Sequence, residues 1–371
     1  MKQTQAFLST YTADVSGVCS ALFELGGMTV MHDASGCNST YNTHDEPRWY
    51  DMDSLVFISG LSELEAVMGD DEKLISDVSD AARQLHPRFI ALAGTPMITG
   101  CDLPAIAREV EGRTKIPSFA VPSNGIGTYV AGAGQALRLY AERFITSRPE
   151  KRKNAVNILG ATPLDFSVNG CVQSMARRLE EAGFTLQSVF AMSSSIDAID
   201  KAGAAEANLV VSSVGLPAAK YLQAQFGTPY VIGAPFGDFF SPYVFDALRE
   251  SIRTGAPADV LDTFAPDAPD TVIVGESVTA KSLAAALAVE YGIRARVICP
   301  VEAPGGVLGA CDLRLEDEEE IEQALRGAKR VIADPLYRRI VPAKSEFYPL
   351  PHEAFSGRIY RKQIPNLAER V

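Results

Sequence analysis

The sequence predicts an α/β protein made of three doubly wound, Rossmann-like lobes with parallel sheets. Three observations point there. Short apolar runs of strand length recur along the whole chain, each is followed by a turn and a helical pattern, and two polar breaks divide the rhythm into thirds. Apolar runs without polar alternation suit parallel strands buried on both faces, and the helices between them supply the crossovers that parallel pairing requires.

In the first third the predicted strands are Met28–His32, Leu55–Ile58, Phe89–Ala93 and Ser118–Val121. Val156–Gly160 opens the second, followed by a helical stretch from Gly170 to Ala182. Leu209–Val211 and Tyr230–Ile232 continue it, the latter after the turn Phe226-Gly227-Thr228-Pro229. The motif restarts at Thr271–Gly275, runs into the Ala/Leu-rich helix Ser282–Tyr291, and closes with Ala295–Ile298 and Arg330–Ala333. The charged stretch Arg148–Lys153 and the Pro/Asp-rich stretch Ala265–Asp270 have linker composition. The lobes are therefore expected at 1–150, 151–265 and 266–371, with any ligand outside the carboxyl ends of the strands.

Composition narrows the function. A net charge of −12 argues against a nucleic-acid surface, which needs concentrated Lys and Arg. No apolar stretch is long enough to span a bilayer, and Met1–Gln5 lacks the basic-then-apolar run of a secretory signal, so a cytoplasmic location is expected. Six scattered cysteines, with no CxxC pair, make neither a disulfide framework nor a one-loop zinc site. Metal ligands would have to converge from distant loops or from two chains.

Cys19 stands at the apparent start of the helical pattern Cys19–Leu25, and Cys37 follows Gly36 just beyond the predicted strand Met28–His32. At such ends backbone amides can donate to an anionic sulfur cluster, and a thiolate near a helix N-terminus has a lowered pKa. The alternative is that both are small buried hydrophobes. Cys101, after Gly94–Gly100 and before another helix, completes the candidate metal set Cys19, Cys37 and Cys101.

The run Ser16-Gly17-Val18-Cys19, the segment His32–Cys37, the stretch Gly94–Ile106, the segment Gly69–Ile75 and the turn Pro122–Gly127 together resemble the component 1 family of nitrogenases. That family includes nitrogenase proper, dark-operative protochlorophyllide reductase and the reductive cyclase of coenzyme F430 synthesis. The likeness runs over almost the whole chain and is clearest in the first lobe. It implies an oxidoreductase subunit that pairs with itself or with a sister chain. It also implies an iron–sulfur cluster at the interface and electrons from an ATP-dependent iron-protein partner. No GxxxxGK[ST] occurs, so ATP hydrolysis would belong to that partner.

Departures from the family pattern refine this. Cys37 matches the middle of three cluster cysteines, Cys19 matches the first only with shortened spacing, and Thr95-Pro96 stands where the third is expected. The resemblance thus places Gly36 and Thr95 beside the cluster. Two thiolates per chain would make four across a two-fold axis, favouring a 4Fe–4S cluster over the eight-iron P-cluster, with Cys101 behind the ligands. Ser212 and Ser213 replace the family's cofactor cysteine, and Ser is a poor ligand for soft iron–sulfide chemistry. No iron–molybdenum cofactor is expected, and the substrate is a small molecule other than dinitrogen, such as a tetrapyrrole or another unsaturated or sulfur-containing compound.

The loop Pro351–Arg358 resembles the family's closing loop, making His352 the catalytic candidate; its alternative is a loop histidine capping a turn. Gly125–Val130 is an incomplete dinucleotide fingerprint, explicable as a tight turn. His44–Trp49 reads as a cluster-proximal or docking loop, or as a solvated turn, and Glu316–Glu320 as an exposed helix start. The rival functions are a non-catalytic scaffold on which a cofactor is assembled and a metal-chelate-binding protein.

Overall fold

A computed structural model describes residues 6–8, 11–34, 45–95, 100–264 and 268–371. Three parallel sheets organise them. The first contains β1 (Met28–His32), β2 (Leu55–Ile58), β3 (Ile90–Gly94) and β4 (Ser118–Ala120), in the order β2-β1-β3-β4. The second contains β5 (Ala155–Leu159), β6 (Thr185–Val189), β7 (Ala207–Val210), β8 (Tyr230–Ile232) and β9 (Ala258–Asp259), ordered β6-β5-β7-β8-β9. The third holds β10 (Thr271–Val274), β11 (Ala295–Cys299), β12 (Leu313–Arg314), β13 (Arg330–Ala333) and β14 (Glu346–Pro349), ordered β12-β11-β10-β13-β14. The expected α/β fold with three doubly wound parallel sheets is the fold observed. Among the described residues no helix is long and apolar enough to cross a membrane.

The helices around the first sheet are α1 (Asp14–Leu22), α2 (Glu63–Met68), α3 (Asp71–Leu85), α4 (Leu103–Thr114) and α5 (Tyr129–Phe144). Alternation along the strands splits this lobe's core in two. Met31, Ala91 and Ala93 face the core shared with α1, α5 and the other sheets, whereas Met28, Val30, Ile90 and Leu92 face α3 and α4. The α1–α5 crossing is tight enough to require glycine. A Cβ on Gly132 would lie 1.9 Å from the Asp14 carbonyl oxygen, and one on Gly17 would lie 2.4 Å from that of Tyr129.

The second and third sheets carry α6 (Cys171–Glu181), α7 (Leu216–Phe226), α8 (Gly237–Thr254), α9 (Ser277–Tyr291) and α10 (Glu318–Leu325). Helix α9 begins five residues earlier than the sequence pattern suggests. Glu276 caps it, accepting from the amides of Val278 (3.1 Å) and Thr279 (2.9 Å). The chain's end returns to the second lobe: Leu367 accepts from Gly237 N (3.0 Å), and Asn366 donates to Ser174 Oγ (3.0 Å).

Two expectations for polar segments are corrected. Glu316–Glu320 is the helix start expected, with Asp317 capping α10 and Glu316, Glu319 and Glu320 exposed, but Glu318 is buried, because its carboxylate accepts from the amides of Ala6 (3.0 Å), Phe7 (3.0 Å) and Leu8 (2.8 Å). The segment after Cys37 is neither solvated nor free to dock where it is described. Arg48, 4% exposed, binds Glu46 (2.6 Å), Glu24 (2.9 Å) and the carbonyls of Ser20 (2.7 Å) and Ala191 (2.9 Å). One guanidinium thereby ties the first lobe to the second. His44 lies outside the described residues.

Candidate functional site

In a doubly wound sheet a crevice opens where consecutive crossovers leave in opposite directions. In the second sheet this is the carboxyl end of β5 and β7, which lead to Asp165 and to Ser212 and Ser213. In the third it is the end of β10 and β13, followed by Glu276 and Asp334. These two crevices face each other, and the N-terminus of α5 joins them from the first lobe.

Buried polar groups knit the junction. Asp165 accepts from Tyr129 Oη at 2.5 Å and from Ser212 Oγ at 2.6 Å. Glu276 accepts from Ser213 N at 3.1 Å, across the two sheets. Asp334 accepts from His352 N at 2.8 Å and from Ser356 Oγ at 2.7 Å, which anchors the His352 loop. Burial and the Asp165 carboxylate push the Tyr129 hydroxyl well above its ordinary pKa, so it stays a neutral donor.

His352 caps a one-turn helix, Glu353–Ser356, as the alternative sequence reading allowed. Its Nδ1 accepts from Ala354 N (3.2 Å), and the ring stacks on Phe355 at 4.3 Å. Because Nδ1 accepts, the proton of the neutral ring sits on Nε2. That buried nitrogen has no hydrogen-bond partner and lies 3.5 Å from Asp165 Oδ1. The two groups form the polar wall of a cavity of about 50 Å³, otherwise lined by apolar side chains such as Phe166, Phe236, Ile273 and Leu283. Such a space holds about three waters. It does not fit a large metal–sulfur cofactor, and Ser212, in the expected cysteine's place, spends its hydroxyl on Asp165.

The first sheet has its own crevice, between β1 and β3. Gly36 and Cys37, which follow β1 in the sequence, lie outside the described residues. Thr95, just after β3, is buried and packs toward the Gly125 turn. The expected position of Cys19 is corrected. It is the sixth residue of α1, not the first of a helix, and is fully buried in the shared core, where burial pushes its thiol far up. Cys101 is partly exposed and packs on the other core, against His32 Nε2 at 3.3 Å. Cys19 and Cys101 thus belong to opposite faces of the first sheet and cannot share one metal group. Among the described residues no three His, Cys, Asp or Glu side chains are grouped to hold a metal ion.

The glycine-rich turn binds the protein's own carboxylates. Asp14 accepts from the amides of Asn124 (2.7 Å) and Gly125 (3.0 Å), and Glu302 from Thr128 N (2.9 Å). A pyrophosphate has no amides left there. Sequence reasoning missed Tyr129, Asp165, Glu276 and Asp334 as site residues. The available signal was position, since each carboxylate stands within a few residues of a central strand's carboxyl end.

A family model described as nitrogenase component 1 type oxidoreductase matches residues 16–260. The chain belongs to that family. The nitrogenase iron-molybdenum cofactor biosynthesis protein NifE of Methanosarcina barkeri is 28% identical over 196 residues, covering 49% of this chain and 42% of that protein. A subunit of the light-independent protochlorophyllide reductase of Nostoc punctiforme is 35% identical over 183 residues, covering 46% of this chain and 36% of that protein. The chain therefore matches less than half the length of these curated relatives. The solved structure "Nitrogenase Cp1 at pH 5" has a TM-score of 0.68 at 15% identity, covering 99% of this chain and 88% of that one. At that identity the likeness is one of fold.

Proposed function

We propose that this chain is an electron-accepting subunit of a nitrogenase-like reductase. An ATP-hydrolysing iron-protein partner docks on its first lobe, and the substrate is a small molecule other than dinitrogen. One observation carries the reading: helix α2 buries none of its residues and turns an apolar face to solvent. Leu64, Val67 and Met68, at i, i+3 and i+4, are 71%, 79% and 72% exposed. A capping box holds the helix, with Ser62 Oγ accepting from Glu65 N and Glu65 accepting from Ser62 N (2.8 Å), so this face is a fixed feature. Fixed apolar patches mark contact sites. Glu63, Asp70 and Asp71 lie on or directly after this helix in the chain, so its partner should present an apolar centre with a basic rim.

The described residues do not by themselves fit an iron–sulfur cluster, because Cys19 is sealed in the core and Cys101 is engaged elsewhere. Cys37 is the thiolate left for that role, with its sequence neighbour Gly36, and Thr95 stands at the crevice. One thiolate is half of what each chain of a symmetric pair would owe to a Cys₄ set. This supports pairing with a sister subunit that supplies the remaining ligands over homodimerisation.

The scaffold reading has support in the NifE relatives. The small cavity and the Asp165 network count against a large cofactor carried between the sheets. Mixing the anaerobically purified chain and its sister subunit with an iron protein tests the proposal. Electron uptake that requires ATP supports a reductase, and stable transfer of a preassembled cluster without turnover supports a scaffold.

A further inference from the structure

We propose that Cys101 is a base-activated thiol, with His32 as its base, and a site of reversible modification by small disulfides. The assignment rests on a directed chain of hydrogen bonds. Ser59 Oγ donates to the Asp33 carbonyl at 3.5 Å, which leaves its lone pairs to accept from His32 Nδ1 at 3.0 Å. In the tautomer with the ring proton on Nδ1, the bare Nε2 faces Cys101 Sγ at 3.3 Å as an acceptor for the thiol proton. A nucleophile, a base in reach of it and a third group orienting the base form the arrangement that activates a thiol.

The surroundings suit that role. His32 is 4% exposed at the end of β1, so its ring is held by packing, while Cys101 is partly open to solvent. Burial lowers the His32 pKa, outweighing the opposing pull of Asp71, Asp33 and Glu65, and so favours the neutral ring, the form that can accept the thiol proton. His32 and Ser59 also line a cavity of about 200 Å³, with an apolar floor including Val30 and Leu74; on its wall Lys73 is paired with Glu65 (3.0 Å) and Asp77 (3.6 Å), and Asp70 faces it too. A small neutral disulfide finds apolar contacts there, whereas the carboxylates disfavour an anionic one.

The exchange balances without any further reagent. The Cys101 proton passes to His32 Nε2, the thiolate attacks one sulfur of the disulfide, and a new S–S bond forms as the old one breaks. The departing thiolate recovers the proton from the imidazolium. Cys101 is oxidised to a mixed disulfide, and the departing sulfur is reduced to a thiol.

Cys311 is the internal control, because it is partly exposed like Cys101 but has a carboxylate (Asp312, 3.9 Å) beside it rather than an imidazole. The native full-length chain would be treated with dithiodipyridine, and second-order rates read at each cysteine-containing peptide by mass spectrometry. Cys101 should react roughly tenfold or more faster than Cys311, with His32→Gln bringing it down to the Cys311 rate and Ser59→Ala giving an intermediate loss. Equal rates at Cys101 and Cys311 in the wild type would overturn the proposal. So would a wild-type Cys101 rate in either variant with native circular dichroism. Should His32→Gln fail to fold, the wild-type comparison and Ser59→Ala decide.

Discussion

Replacing Met68 by Asp should separate docking from folding. The side chain is 72% exposed, on a helix that buries nothing, so the folded state loses almost no packing and stability should stay within about 0.5 kcal/mol. Binding is another matter. Burying a Met or Leu side chain against a partner is worth about 1.5–3 kcal/mol, and the substitution forfeits that gain while asking a carboxylate to desolvate. It also adds negative charge to a segment that already carries Glu63, Asp70 and Asp71. A loss of at least about 2 kcal/mol, roughly 30-fold in Kd, follows. Fluorescence anisotropy with a labelled iron protein gives the Kd, and urea denaturation gives the stability. Leu64→Asp should behave alike. An unchanged Kd would refute the docking assignment, and a stability loss above about 1 kcal/mol would show that α2 packs in a way its exposure denies.

Three further outcomes follow from the fold. Arg48→Met removes the guanidinium from the buried Glu46 carboxylate and from two backbone carbonyls, so it should cost about 3–5 kcal/mol in urea denaturation, with Glu46→Gln in the same chain recovering part of it. Gly132→Ala drives a methyl group into the Asp14 carbonyl and should cost about 1–3 kcal/mol or more, read as a lowered midpoint. His32 has a folded-state pKa below its unfolded value of about 6.5, so the unfolded chain binds the extra proton first. Stability should therefore fall as pH drops from about 6.5 through the folded pKa, and denaturation curves of His32→Gln should lack that contribution.

Much of the fold was legible because parallel strands buried on both faces announce themselves as apolar runs. The four strands the sequence did not reveal, β6, β9, β12 and β14, are the edges of the second and third sheets. An edge strand has a solvated side, so its residues need not be apolar. β14 is largely exposed and ends in Pro349, while β9 and β12 are two residues long. The site was less legible. Ser212, Ser213 and His352 did come to the junction, but their partners Asp165, Glu276 and Asp334 are single carboxylates scattered through the chain, and only the sheet order shows that they meet. Cys19 misled because the helical pattern is apparent in the sequence only from Cys19 onward. In fact α1 starts at Asp14, whose carboxylate is occupied by the Asn124–Gly125 turn.

The central claim is that this chain accepts electrons delivered by an ATP-hydrolysing partner. The most direct measurement is electron paramagnetic resonance on the anaerobically purified chain with its sister subunit, mixed with reduced iron protein in the presence and absence of ATP. The account predicts a new or altered iron–sulfur signal that appears only with ATP and is lost in Cys37→Ala. A complex that contains no iron or sulfide, or whose spectrum is the same with and without ATP, would contradict it.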